Sequence, residues 1–145
     1  MPIRLPLPLS SARDLFEKLK RDAALLDEEV TTDRFFNFVI TGYSLVDWVG
    51  RDPALAGVDI QALRSDPTLK VCGDLANASK HFELDKRVPI TKSASSAQGW
   101  GLGRYGHGGY GIGEEKITVE LNDGTRISCL DFVQQVLVVW RTLFP

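Results

Sequence analysis

The residues with the clearest chemical potential are Asp74, Asn77 and His81, which recur at intervals of three and four positions. Residues at this spacing lie on one face of an α-helix. An apolar stripe from Val71 to Phe82 runs beside them and is expected to face the core, so these polar side chains should be half buried and need partners. His81 is one of two histidines in the chain, and its imidazole could act as an acid or base near neutral pH.

A carboxylate on a neighbouring helix could orient the imidazole of His81. Asp47 lies one turn after Tyr43 on the apolar flank of a predicted helix over 34–51, where a carboxylate needs a hydrogen-bond donor. If this helix packs antiparallel to the helix of His81, we expect an Asp47–His81 pair with Tyr43 and Asn77 as hydrogen-bonding neighbours. The alternative is a polar network that fixes the helix register without catalysis.

The segment 93–113 is rich in glycine and aromatic residues and predicts a long loop. It contains eight glycines between Gly99 and Gly113, and no Asp or Glu occurs over 86–113. Aromatic and basic side chains on such a backbone could stack on bases and contact phosphates, and a histidine could add a proton-transfer group if the loop closed over a substrate. The candidate substrate-binding residues are Lys80, Trp100, Arg104, Tyr105 and His107. A loop that becomes ordered on a protein partner, without chemistry, is the alternative.

Neither a metal nor a cofactor is expected from the sequence. Two histidines and scattered carboxylates lack the clustered spacing of a zinc or di-metal site. The glycines do not form the phosphate-binding pattern GxxxxGK[ST] and do not lie between a strand and a helix of a βαβ unit.

The composition is that of one ordinary globular domain. The 145 residues are 43% hydrophobic and 25% charged with a net charge of −2, so a strongly basic nucleic-acid binder is not indicated, although a local basic patch is compatible with these values. Cys72 and Cys129 form no CxxC pair, which favours free buried thiols in a reducing compartment. The proline-containing segment 1–9 predicts an extended arm and lacks the apolar run of a signal peptide. No stretch approaches the roughly 20 apolar residues of a membrane span, and a cytoplasmic protein is expected.

The predicted fold is mainly α (α+β), with four or five helices in a bundle and a β-hairpin or small three-stranded sheet before the C-terminal helix. Gly42 within a helix predicts close approach by a neighbour. The last helix is apolar over so much of its surface that it should be either central or part of a dimer interface. Periodicity, capping residues and an Asn-Asp-Gly turn predict helices over about 11–29, 34–51, 60–65, 67–82 and 130–143, a hairpin over 116–129, and an edge strand over 87–92.

Two helical segments and the C-terminal helix with Trp140 resemble small bacterial and phage proteins of the HEPN-like type. The segments are FNFVITGYSLVDW and DLANASKHF. The resemblance implies an α-helical bundle, generally dimeric, and for many members metal-independent RNA cleavage in toxin–antitoxin or antiphage systems. The HEPN pattern has an Arg four to six residues before a His. His81 matches the His, but no Arg stands at that spacing, so either another Arg completes the site or this chain does not cleave RNA.

Two functional hypotheses follow from these observations. In the first, the chain cleaves or binds RNA as a toxin or defence component, with His81 as acid and base, Asp47 orienting it, and Arg104 and Lys80 contacting phosphates. In the second, it is a non-catalytic protein-interaction module that uses the glycine-rich loop and the apolar C-terminal helix. Its partner would then be an antitoxin or another defence component, and a homodimer is compatible with either hypothesis.

Overall fold

The computed structural model describes residues 8–81, 90–99, 102–108 and 113–145, without the side chains of residues 79–81. In these ranges the fold is mainly helical, with a small antiparallel sheet before the last helix, which confirms the predicted fold class. The elements are α1 (Ala12–Glu28), α2 (Thr32–Arg51), a 3-10 turn (Pro53–Leu55), α3 (Ile60–Ser65), α4 (Pro67–His81), β1 (Thr91–Ala97), β2 (Lys116–Leu121), β3 (Arg126–Ser128) and α5 (Cys129–Arg141).

The helices begin where polar side chains accept hydrogen bonds from the first backbone N–H groups. The Ser11 hydroxyl accepts from the N–H of Asp14 at 3.1 Å, and the Asp14 carboxylate accepts in return from the N–H of Ser11 at 3.2 Å. Thr31 starts α2 and Ser128 starts α5 in the same way. These caps satisfy N–H groups that have no partner within the helix, which is why local sequence predicts the helix starts.

Helix α5 lies at the centre of the fold and packs against α1, α2, α4 and the sheet. Its buried face includes Phe132, Val136 and Trp140, while polar residues such as Gln134 face solvent. The structure therefore places this helix centrally, which is one of its two predicted positions. Among the described helices, none is both long enough and apolar enough to cross a membrane.

Gly42 allows α2 and α4 to approach closely. A Cβ atom at this position would lie 3.1 Å from the Sγ atom of Cys72, which confirms the predicted close approach. The thiol of Cys72 donates to the carbonyl oxygen of Val39 at 3.3 Å. Cys72 and Cys129 are both free and buried, as predicted, and burial raises the pKa of each thiol to about 12.

The three strands form a sheet in the order β1-β2-β3, and both pairs are antiparallel. The hairpin of β2 and β3 confirms the prediction, but the edge strand lies later than the predicted 87–92, of which 87–89 are outside the described residues. Residues 93–97, predicted as loop, belong to β1 because pairing with β2 overrides the weak strand propensity of Ser and Ala. The buried carboxylate of Asp74 on α4 accepts hydrogen bonds from the backbone N–H groups of Ile90 (2.9 Å) and Thr91 (3.1 Å), which connects the start of this strand to α4.

Candidate functional site

A buried carboxylate organises the described part of the glycine-rich segment. Glu114 is 2% exposed, and its Oε1 accepts from the Nε–H of Arg104 at 2.9 Å and from the backbone N–H of Arg104 at 3.2 Å. Its Oε2 accepts from the Nη2–H of Arg104 at 2.8 Å and from the backbone N–H of Val30 at 2.7 Å. Through these four bonds, one side chain connects the glycine-rich segment to the link between α1 and α2.

The hydrogen bonds keep this buried pair charged. Burial alone would raise the pKa of Glu114, but the hydrogen bonds from Arg104 and from the N–H of Val30 outweigh it and lower that pKa to about 2. The hydrogen bond with Glu114 likewise raises the pKa of Arg104. Both groups are therefore ionised at neutral pH, and the two parallel N–H···O bonds have the geometry of a strong arginine–carboxylate pair.

Residues 104–107 form a β-turn, hereafter the Arg104–His107 turn. The N–H of His107 donates to the carbonyl oxygen of Arg104 at 3.4 Å. Gly106 has a φ of +79°, the value that a type II turn requires at its third residue and that L side chains rarely adopt. Tyr105 occupies the second position and is 100% exposed.

Both ends of the Arg104–His107 turn are fixed to the C-terminal end of α1. This helix has no basic residue in its own last turn, so the donors come from elsewhere in the chain. Arg104 donates to the carbonyl oxygen of Leu26 (3.2 Å), and Nδ1 of His107 donates to that of Glu28 (2.9 Å). Arg34 donates to the carbonyl oxygens of Leu25 (2.7 Å) and Glu29 (3.3 Å). The carbonyl of Leu25 also accepts from the N–H of Glu29 (3.0 Å), whereas the guanidinium groups give the later carbonyls donors that the helix does not supply, at the negative end of its dipole.

Close backbone packing around Glu114 explains two of the glycines in the segment. A Cβ atom at Gly103 would overlap the carbonyl oxygen of Glu114, and one at Gly108 would overlap the backbone of Gly113. Gly106 is instead required by its positive φ. Residues 102–108 are therefore a defined turn packed on the chain around Glu114, and Gly103 and Gly108 permit this packing.

The surface beside the turn combines apolar and acidic groups. Leu102, two positions before Arg104, is a large apolar side chain that is 41% exposed. The side chains of Asp27 and Glu28 are 85% and 72% exposed. In the described ranges, no group of three or more His, Cys, Asp or Glu residues could hold a metal ion. The arrangement offers an exposed aromatic ring, apolar contact area and carboxylates on a fixed support.

The predicted Asp47–His81 pair is not supported by the helix register. Asp47 is exposed, and its carboxylate accepts from the Nε–H of Arg51 at 3.0 Å. Ile60 of α3 contacts the C-terminal end of α2 at Gly50, and α4 follows α3 directly, so α4 runs back along α2 in the opposite direction.

Gly42 of α2 lies opposite Cys72 of α4, and this contact defines the register. Asp47 comes five residues after Gly42, and His81 comes nine residues after Cys72. Because the two helices are antiparallel, these displacements run in opposite directions and add. About 20 Å of helix rise therefore separates Asp47 from His81 along the helix axes.

The other predicted site residues are divided between different regions. Tyr43 and Asn77 are half buried on the neighbouring helices α2 and α4. Trp100 and the side chains of Lys80 and His81 lie outside the described residues.

Arg104 and His107 do come together, but their contacts are with Glu114 and the end of α1. The interpretation of Arg104 as an available phosphate contact is corrected, because its Nε and Nη2 donors bond to Glu114 and its Nη1 lies 3.6 Å from Asp27.

A second buried polar cluster joins α1 to α2. Asp22 accepts from the ammonium group of Lys18 at 2.7 Å and from the hydroxyl of Thr41 at 2.7 Å. Lys18 also donates to the Thr41 oxygen at 2.9 Å. The buried carboxylate is thus paired by donors from both helices, which identifies it as a packing contact between α1 and α2.

Sequence reasoning missed Glu114, although a signal for it was present. The acid-free stretch 86–113 ends at Glu114-Glu115, and a cation within a compact loop needs a nearby carboxylate.

Comparisons with family models, curated proteins and solved structures find no match for this chain. These comparisons therefore assign it no function.

Proposed function

We propose that this chain is a non-catalytic cytoplasmic binding module that presents Tyr105 to a protein partner. The observation that carries the proposal is the Arg104–His107 turn, whose two ends are fixed to α1 while the aromatic side chain between them is fully exposed. Tyrosine is enriched at the energetic centres of protein interfaces because it provides a large contact area with few rotatable bonds. A turn that is already fixed loses less conformational entropy on binding than a flexible loop.

The neighbouring side chains are consistent with such an interface. Leu102, three positions before Tyr105 in the chain, adds exposed apolar area beside the turn. Exposed apolar residues that are grouped, rather than scattered singly, are typical of interaction surfaces. The resemblance to HEPN-like proteins makes a toxin–antitoxin or antiphage setting the first place to search for the partner.

RNA binding receives less support from the same surroundings. The guanidinium group of Arg104 already pairs with Glu114, and the exposed carboxylates of Asp27 and Glu28 would repel phosphates. The RNA hypothesis therefore depends on His81. Cleavage of total RNA in EDTA by the wild-type protein, and its loss in a folded His81→Ala variant, would support that hypothesis over ours.

Site-specific photocrosslinking in the cells from which the chain comes tests the proposal. A photoreactive phenylalanine analogue replaces Tyr105 in one variant and Val138 in a matched control. Val138 is an apolar residue, 62% exposed, on the outer face of α5. We expect the variant at position 105 to form a discrete protein adduct after illumination, and the variant at position 138 to form none of the same mass.

Adduct formation should compete with the natural side chain. Excess wild-type protein should reduce the adduct, whereas excess Tyr105→Ala protein should not. The absence of a protein adduct at position 105, or an adduct with RNA alone, would contradict the proposal.

A further inference from the structure

We infer that the partner segment held by the Arg104–His107 turn contains an arginine side chain that lies on the Tyr105 ring and reaches the carboxylates of Asp27 and Glu28. This inference rests on the proposed function and specifies the chemistry of the partner. It starts from the fully exposed ring of Tyr105, which is the largest apolar group that the turn offers. The charges around the ring then select among the side chains that could cover it.

The carboxylates of Asp27 and Glu28 retain capacity for a further cation. The closest guanidinium nitrogens are 3.6 Å from Asp27 and 3.9 Å from Glu28, and both carboxylate side chains are mostly exposed. The two guanidinium groups concerned have shorter bonds elsewhere, Arg104 to Glu114 at 2.8 Å and Arg34 to the carbonyl of Leu25 at 2.7 Å. Arg104 shares its charge between Glu114 and Asp27, so these three carboxylates and two guanidinium groups leave one net negative charge.

The flanking contacts bring the backbone of Tyr105 close to Asp27 and Glu28. Arg104, which precedes Tyr105, contacts Asp27, and His107, two positions after it, bonds to the carbonyl of Glu28. The guanidinium groups of Arg104 and Arg34 already occupy the carbonyls at the end of α1, so the helix end itself adds no free negative charge. A cation that covers the tyrosine ring is attracted by the ring and by the exposed carboxylates.

Arginine suits this combination better than lysine. Its planar guanidinium group can stack on an aromatic face while its N–H groups bond to carboxylates in the same plane. Its aliphatic stem can also lie against exposed apolar side chains such as Leu102. A lysine ammonium group is compact and strongly hydrated, so it makes these contacts less completely.

The test is an NMR titration of the full chain, labelled with ¹⁵N, with three acetylated and amidated pentapeptides. Each peptide has glycine at four positions and arginine, lysine or citrulline in the centre. Citrulline has nearly the shape of arginine but no charge. We expect the arginine peptide to shift the amide signals of Tyr105, Gly106 and Glu28, with an affinity about fivefold above that of the citrulline peptide.

Variants then locate the binding energy. Tyr105→Ala should abolish the shifts, and the double variant Asp27→Asn, Glu28→Gln should lower the arginine affinity to that of citrulline. Glu17→Gln is the control, because Glu17 is a partly exposed carboxylate on the same helix but at its other end. It should change nothing.

The failures of this inference and of the proposed function are distinguishable. Equal affinity for arginine and citrulline peptides, or no response to any peptide, overturns the arginine inference, while a protein photoadduct at position 105 still supports the binding module. An arginine affinity that the double carboxylate variant does not reduce also overturns it. Absence of the photoadduct contradicts the proposed function itself.

Discussion

Asp47 and Glu114 are both carboxylates that bond to an arginine at similar distances, 3.0 Å to Arg51 and 2.8 Å to Arg104. The Asp47–Arg51 pair lies on one turn of α2, and its side chains are 60% and 74% exposed. In the Glu114–Arg104 pair the corresponding values are 2% and 31%. The buried carboxylate also accepts two backbone N–H groups, from Arg104 and Val30.

The difference shows that distance alone does not measure what an ion pair contributes. An exposed pair exchanges hydration for a contact of similar energy and gains little. A buried pair contributes little net energy compared with apolar residues, but removing one member leaves the other without a partner in a poorly hydrated site. Glu114 therefore determines the position of the glycine-rich turn, whereas Asp47 can change at low cost.

The largest effect should follow from removal of the buried carboxylate. We expect Glu114→Ala to lower the free energy of unfolding by about 3 kcal/mol, since the buried N–H of Val30 loses its acceptor and Arg104 keeps only the Leu26 carbonyl and Asp27. Asp47→Ala should cost less than about 1 kcal/mol. Urea denaturation followed by circular dichroism gives both values. Equal costs for the two substitutions would contradict the role of Glu114, and Glu114→Gln provides a milder variant if Glu114→Ala does not fold.

The contribution of Glu114 to stability can also be measured by protonating its carboxylate at low pH instead of removing the side chain. The pKa of Glu114 in the folded protein is about 2, below its ordinary value of 4.5. The ionised carboxylate therefore stabilises the fold above pH 4.5, and this contribution of roughly 3 kcal/mol is lost as the pH falls toward 2.

The conservative variant Glu114→Gln isolates this contribution. Across that pH range, the free energy of unfolding should decrease more steeply for the wild-type protein than for Glu114→Gln. Parallel curves for wild type and Glu114→Gln would show that Glu114 does not have a lowered pKa in the folded protein.

A smaller effect is expected where the backbone approaches Glu114. Gly103→Ala should destabilise the protein by about 2 kcal/mol, because its Cβ atom would overlap the carbonyl oxygen of Glu114 and the turn would have to move. Gly57→Ala is the matched control, since a Cβ atom there would meet nothing within 4 Å. Thermal unfolding of the two variants is the measurement, and similar melting temperatures for both would argue against close packing of the turn.

Much of the fold could be predicted from sequence because its signals are local. Ser11 and Asp14 form their cap within one turn, and the Asn-Asp-Gly turn joins adjacent strands. Gly42 predicted a helix contact because a glycine within a helix is costly without one. The edge strand was misplaced because its Ser and Ala residues have weak strand propensity, and only pairing with β2 defines it.

The site was harder to predict because its contacts join distant parts of the chain. Glu114 bonds to a backbone N–H 84 residues away, and Arg104 to a carbonyl 78 residues away. The glycine-rich segment has no helical or strand periodicity from which such partners could be inferred. The helical pattern places Asp47 on an apolar flank, but Arg51, one turn later, provides its donor in solvent.

Backbone dynamics test the central claim that the Arg104–His107 turn is held rigidly on α1 by Glu114. ¹⁵N relaxation should give order parameters near 0.85 for Tyr105 and Gly106, as for rigid backbone, and these should fall in the Glu114→Gln variant while residues of α2 keep their values. Order parameters below about 0.6 for these two residues in the wild-type protein would contradict the account, since Tyr105 would then lie on a flexible loop.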